Sequence, residues 1–117
     1  MRIVPKPWGR EEIFAENDRY AGKLLHISAG HSLSLQYHEV KDETLYVLEG
    51  EVTLEVEEDG QMRTRRLVAG DSYRIRPLIR HRMRSDQACV ILEVSTPELD
   101  DVVRLEDAYG RAGTKAP

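Results

Sequence analysis

A single cysteine, Cys89, stands in the chain, so no internal disulfide can staple it, and its place in the apolar run 89–94 reads as a small buried hydrophobe. That favours a reducing compartment. No apolar stretch approaches the ~20 residues that a membrane-spanning helix needs, and residues 1–10 contain Pro5 and Pro7 but no apolar signal core. A cytoplasmic location with no membrane partner is expected. Neither sign of charge dominates: a net charge of −4 gives no global reason to bind nucleic acid, so any basic function must be local. There is also no internal repeat, no low-complexity tract and no long helical period. At 117 residues, 40% hydrophobic and 32% charged, the chain reads as one ordered domain over 1–117, able to bury a modest core unaided.

What the chain does have is short apolar runs punctuated by Gly, Asp, Asn and Pro at close intervals, the pattern of an all-β domain. Strands are predicted over 12–15, 20–28, 32–38, 44–49, 51–57, 62–68, 72–75, 81–84 and 89–95. Val52, Leu54 and Val56 alternate with Thr53, Glu55 and Glu57, giving one dry and one wet face. Such regular spacing predicts a small antiparallel barrel or sandwich, with its core over about 20–96. The tail 97–117 changes character: residues 99–105 offer apolar positions that could pack on the barrel, whereas 110–117 is small and polar enough to fray. In 32–38, Leu33, Leu35 and Tyr37 fall opposite Gln36 and His38, so an outward apolar trio needs a cover. Either the N-terminal strands or a second subunit would supply it, and a homodimer is the simpler expectation.

Gln36 and His38, two apart in a strand, leave the same face. Glu43 opens the next run and meets them if residues 39–42 tightly connect two antiparallel strands. With His81, eleven residues after Gly70, two imidazoles, a carboxylate and an amide oxygen converge on one point. That donor set suits one divalent metal ion and leaves positions open for water or substrate; zinc is the first expectation, with manganese, iron, nickel or cobalt as alternatives. His26 and His31 lack partners at useful spacing.

The spacing Gly30, Gln36, His38, Glu43, Gly50 resembles the first motif of the cupins, and Gly70-Asp71, Pro77 and His81 resemble the second. The resemblance implies a double-stranded β-helix with the metal held inside on Gln36, His38, Glu43 and His81. Outside these motifs, Lys6-Pro7-Trp8-Gly9, Lys23, Leu33-Ser34-Leu35-Gln36-Tyr37-His38, Glu93-Val94 and residues 100–111 resemble the C-terminal cupin domain of type II mannose-6-phosphate isomerases. This second resemblance covers nearly the whole chain and implies metal-dependent interconversion of an aldose and a ketose phosphate. A glutamine at position 36 is what the isomerases show where cupins commonly carry histidine. Lys41 stands where they commonly have arginine, and Thr44 and Leu45 where they have histidine and tryptophan.

A sugar-phosphate substrate needs cations. Between residues 63 and 84 the chain has eight arginines against one acid, Asp71. Arg63, Arg65 and Arg66 read as an exposed face balanced by the acids of 51–59, while Arg74, Arg76, Arg80, Arg82 and, in the tail, Arg104 are the candidate substrate-binding residues. Lys23 and Lys41 are the candidate catalytic groups, since the metal would occupy Glu43. Two other readings remain at this point: a non-catalytic module binding a sugar or small polar ligand, and an iron-dependent dioxygenase, because two histidines and a carboxylate also suit iron.

Overall fold

A computed structural model describes residues 1–113; of the segment 110–117 expected to fray, 110–113 are tied by hydrogen bonds of Gly110 and Arg111 to Asp107 and of Gly113 to Arg104, and 114–117 lie outside the described residues. Among the described residues there are twelve strands and no helix: β1 (Arg2–Lys6), β2 (Gly9–Glu16), β3 (Ala21–Ile27), β4 (His31–Ser32), β5 (Leu35–Tyr37), β6 (Glu43–Glu49), β7 (Glu51–Glu58), β8 (Gln61–Val68), β9 (Ser72–Ile75), β10 (His81–Ser85), β11 (Cys89–Ser95) and β12 (Val103–Glu106). They build two antiparallel sheets. The first runs β1-β2-β3-β11-β6-β9 and the second β12-β5-β10-β7-β8, with β4 also on β10. No described helix is long and apolar enough to cross a membrane.

Period-2 alternation decides what faces inward. In the second sheet Val52, Leu54 and Val56 of β7 lie beside His81 and Met83 of β10, all buried. In the first, Leu25 and Ile27 of β3, Ile91 of β11, and Leu45 and Val47 of β6 close the core from the other side. The same inward rows end in charge: Lys23 precedes Leu25 on β3, Glu93 follows Ile91 on β11, and Glu43 precedes Leu45 on β6. The interior therefore has an apolar end and an ionic end.

Four features depart from the sequence expectation. Strand β1 was not anticipated, because Pro5 argues against a strand; as an outer strand it pairs on one side only, with β2, where a missing N–H is tolerated. The tail contributes a true strand, β12, which pairs with β5. The run 32–38 breaks between β4 and β5, and the break turns Leu33 inward beside Ser34, both buried. The outward trio of Leu33, Leu35 and Tyr37 thus loses its first member, and the reason given for a covering second copy weakens. Furthermore, β5 and β6 belong to different sheets. Residues 38–42 are a crossing between the sheets, not a hairpin connection, and this crossing brings Glu43 over His38.

Gly9 shows how tightly the entry hairpin is fixed. Its φ is +150°, and a Cβ there would lie 1.9 Å from the His26 carbonyl oxygen. Gly9→Ala is expected to destabilise the protein by roughly 2 kcal/mol or more, through backbone clash and a disfavoured φ. A urea midpoint equal to that of the wild type would contradict this account of the hairpin.

Candidate metal centre and its cavity

His38, Glu43 and His81 come together at the ionic end, each almost wholly buried, with one ligand atom apiece inside 4.8 Å of the others. His38 Nδ1 faces the Asp101 carbonyl oxygen at 2.5 Å, and His81 Nδ1 faces that of Ile79 at 2.9 Å. A carbonyl only accepts, so both Nδ1 atoms carry the hydrogen and both Nε2 atoms present lone pairs. These Nε2 atoms stand 3.5 Å and 3.3 Å from Glu43 Oε1 and have no hydrogen-bond partner. Three buried acceptors aimed at each other repel unless a cation sits among them. The residues thus fit a divalent metal: two imidazole nitrogens and one carboxylate form a three-ligand set with open positions.

The loop that delivers these ligands is tied by the tail. The Asp101 carboxylate accepts the N–H groups of Glu39, Val40 and Lys41 at 3.0, 2.7 and 2.8 Å, while its own carbonyl orients His38. Burial would raise the pKa of Asp101, but the three donors hold it below the ordinary range. From the other side, Leu78 donates its N–H to the His38 carbonyl at 2.6 Å. Leu78 adopts φ 70°, a conformation that costs a residue with a Cβ about 1 kcal/mol. Strain at Leu78 is thus accepted beside a ligand.

Gln36 sits directly across the ladder from His81 and lines the same cavity, but its amide oxygen accepts the Ser34 hydroxyl at 2.7 Å. Behind Glu43 runs a file of alternating buried charge. Lys41 Nζ lies 3.2 Å from Glu43 and 3.1 Å from Glu93; Lys23 Nζ lies 3.5 Å from Glu93 and 3.3 Å from Glu11. Burial would push the Glu43 carboxyl up, yet the Lys41 ammonium behind it holds it well below the usual carboxylate range. Glu93 moves the other way: burial and the Glu43 charge raise it, against the pull of Lys23 and Lys41. Burial would lower the Lys41 ammonium, but Glu93 and Glu43 raise it above its ordinary value, so it stays protonated.

The cavity holds about 510 Å³ of space including its open mouth. Its lining includes Gln36, His38, Lys41, Glu43, Lys23, Glu93 and Arg104. The other arginines singled out in the sequence lie elsewhere. Arg74 pairs with Asp42 at 2.6 Å and Arg76 is exposed; Arg80 pairs with Glu57 at 3.4 Å; Arg82 alternates outward between His81 and Met83, 3.7 Å from Glu106. Inward and outward positions alternate along a strand, so the neighbours of His81 necessarily face away from the cavity. Arg63 and Arg65 meet Glu58, and Arg66 meets Glu51, across the β7–β8 ladder. Lys6, Glu11 and Arg111 line the cavity without having been singled out for it, and Glu93 and Asp101 acquire roles that only the fold discloses.

Asp101→Ala is expected to lower zinc affinity by about 10–100-fold, the usual effect of losing a group that orients ligands, and His81→Ala to abolish stoichiometric binding. Competition against a chromophoric chelator measures both; unchanged affinity in both variants would remove the centre.

Comparison with known proteins bears on the lineage. Residues 23–95 match the cupin domain model. The chain is 33% identical over 116 residues to the mannose-1-phosphate guanylyltransferase of Escherichia coli, a match covering 94% of this chain and 23% of that one. A similar match, at 32%, is to the Salmonella typhimurium protein ManC. The chain therefore spans about a quarter of the length of these relatives. Among solved structures, KdgF from Halomonas sp. superposes with a TM-score of 0.68 at 21% identity, over 83% of this chain and 88% of that one. Bacillus subtilis oxalate decarboxylase, which has Mn(II) centres, gives 0.76 at 23% identity over 90% and 30%. With two antiparallel sheets closing on an inward His–Glu–His trio, this chain belongs to the cupin superfamily.

Proposed function

We propose that the domain is a cytoplasmic, metal-dependent aldose–ketose isomerase acting on a sugar phosphate of the mannose 6-phosphate type. The observation that carries this reading is one cavity lined by His38 and Glu43 of the metal-competent trio and by a buried carboxyl, Glu93, fixed between two lysines. The resemblance of both chain ends to the isomerases, and the mannose phosphate in the names of the relatives, support the substrate class.

The isomerisation moves one proton between adjacent carbons and one between their oxygens, with no net change in composition. A divalent ion held by His38, Glu43 and His81, with Gln36 beside them, would supply Lewis acidity to the two substrate oxygens. Glu93, its proton affinity increased by burial, takes the C2 proton of the aldose and returns it to C1. Lys41 remains charged, fixes the Glu93 carboxyl at 3.1 Å and offsets negative charge developing on the substrate. Lys23 holds the same carboxyl from its other side, so the expected catalytic lysines act here as positioning cations. Trp8, Leu33, Leu99 and Val102 give the cavity apolar walls that limit water around the transferring proton.

Protein loaded with zinc, manganese, iron, nickel or cobalt is expected to convert mannose 6-phosphate to fructose 6-phosphate, and Glu93→Gln to lower kcat by about 100-fold or more. Absence of turnover with all five metals would overturn the reading; saturable sugar binding without conversion would replace it with a binding module, and iron-dependent oxygen uptake with an oxygenase.

The homodimer belongs to the same proposal, on a different surface from the one expected. Phe14, Tyr46, Leu48 and Val94 are exposed on the outer face of the first sheet, where the Phe14 ring covers Gly22 and Val94 lies across the ladder from Gly22. A second copy would cover this patch. Light scattering is expected to give twice the chain mass, and Tyr46→Glu to shift it toward the monomer; a wild-type monomer at micromolar concentration would dismiss the dimer.

A further inference from the structure

We propose that Lys6, Arg104 and Arg111 form an anion subsite that grips the phosphate of the substrate, on the part of the cavity wall that the two ends of the chain supply. The inference rests on the sugar-phosphate reading and deepens it by assigning the charged end of the ligand to named residues.

Three separate segments deliver these cations. Lys6 ends β1, and its partner Gly9 shares its face of the sheet with Glu11, so Lys6 turns inward beside the Trp8 wall. Arg104 of β12 lies directly opposite Gln36 of β5, and residues paired across a ladder leave the same face, which places Arg104 inside, buried, next to the metal end. Arg111 follows the last strand and is held by both oxygens of the wholly buried Asp107 carboxylate at 3.0 and 3.1 Å. Its guanidinium lies 6.0 Å from the centre of the Tyr109 ring, and Tyr109 is itself stacked on His31. The Gly113 N–H closes the loop on the Arg104 carbonyl at 3.0 Å. All three cations lie outside residues 23–95, the part shared with the cupin family model.

Charge accounting across the lining favours an anionic ligand. Five cations, Lys6, Lys23, Lys41, Arg104 and Arg111, face three carboxylates, Glu11, Glu43 and Glu93. The three lining carboxylates are committed to Lys23, Lys41 and the trio, Arg111 is balanced from behind by Asp107, and a divalent metal would add further positive charge. The repulsion is visible in Lys6, pushed down from 10.5 to about 8 by burial and by Lys23, Arg104 and Arg111, against the pull of Glu11. Arg104 is likewise lowered, by burial and then by Arg111. Placing like charges at one mouth is costly without an anion and favourable with one. A phosphomonoester, dianionic above pH ~6, offers three acceptor oxygens to an ammonium and two guanidiniums.

The sign of the pH effect follows. Free Lys6 loses its proton as pH rises through about 8, and a bound dianion raises that value. Phosphate affinity therefore falls above pH 8, and binding at pH 8 takes up a proton from the buffer. The groups facing Lys6 are Glu11 on β2, Lys23 on β3, Arg104 on β12 and Arg111 in the tail. Glu11 is the one that opposes this trend.

The test is titration calorimetry of the metal-loaded full chain with mannose 6-phosphate, inorganic phosphate, mannose and glucuronate, in buffers of differing ionisation enthalpy. Mannose 6-phosphate should bind at least tenfold more tightly than mannose or glucuronate, and inorganic phosphate should compete with it. Lys6→Met should reduce that preference about tenfold with zinc stoichiometry and melting temperature retained, and Arg111→Met should reduce it about tenfold with zinc stoichiometry retained but a lower melting temperature, since Asp107 is left unpaired. Lys6→Arg should keep the preference but abolish proton uptake at pH 8. Equal binding of mannose 6-phosphate and mannose, equal binding of glucuronate, or a preference unchanged in both methionine variants would overturn the subsite. Phosphate-selective binding without isomerisation would instead sink the isomerase reading and leave the subsite standing.

Discussion

Much of the interior depends on one constraint: three buried acceptors, His38 Nε2, His81 Nε2 and a Glu43 oxygen, point at one another with no hydrogen between them. An arrangement of that kind is unstable by itself, because each lone pair has been stripped of water and given nothing in return. The chain meets part of the cost through Lys41, whose ammonium touches Glu43 from behind. That cation needs its own neutralisation, supplied by Glu93; Glu93 is shared with Lys23, and Lys23 with Glu11. The file of alternating charge is thus a consequence of the trio, extending from β6 across β11 and β3 to β2. Its isolated members would each carry a large desolvation penalty, so the file can be kept only as a unit.

The chain ends are what make the unit rigid. Asp101 gathers three consecutive N–H groups of the ligand-bearing crossing and aims its carbonyl at His38, so a tail residue orients a ligand more than sixty positions earlier. At the other end, the β1–β2 hairpin supplies Glu11 to the file and Trp8 to the wall. Part of the cavity lining comes from the stretch common to cupins, and the rest from residues before 23 and after 95. Chemistry and ligand choice can then vary independently on one barrel.

The all-β architecture and the grouping of His38, Glu43 and His81 were legible because both follow from spacing: alternation marks strands, and an i, i+2 pair shares a face. Arg74, Arg76, Arg80 and Arg82 show where that reading stops. They are adjacent in sequence to His81 or to inward Ile75, and adjacency in a strand means opposite faces. Applying the same alternation rule that paired Gln36 with His38 would have turned Arg82 outward. By contrast, Lys6, Glu93 and Asp101 could not have been placed by local pattern. Lys6 depends on an edge strand that Pro5 obscures, and Glu93 on which strand lies between β3 and β6. Asp101 depends on where a tail without strong periodicity comes to rest. Leu33 failed for a different reason, since a break between β4 and β5 shifts the inward phase of the strand by one residue.

The distribution of charge completes the picture. The chain as a whole is acidic at −4, yet the cavity collects more cations than carboxylates. Many of the acids elsewhere are engaged on the outside, Glu16 with Arg2, Glu51 with Arg66, Glu55 with Arg84 and Glu57 with Arg80. Exposed pairs of that kind contribute little stability and are screened by salt. They neutralise the outer arginines but leave the residues outside the cavity net acidic, so the positive lining stands out as a local exception to the charge of the chain. Low-dielectric walls such as Trp8 and Val102 concentrate the field there, so a small anion is drawn to the mouth before it meets any of the groups that hold or transform it.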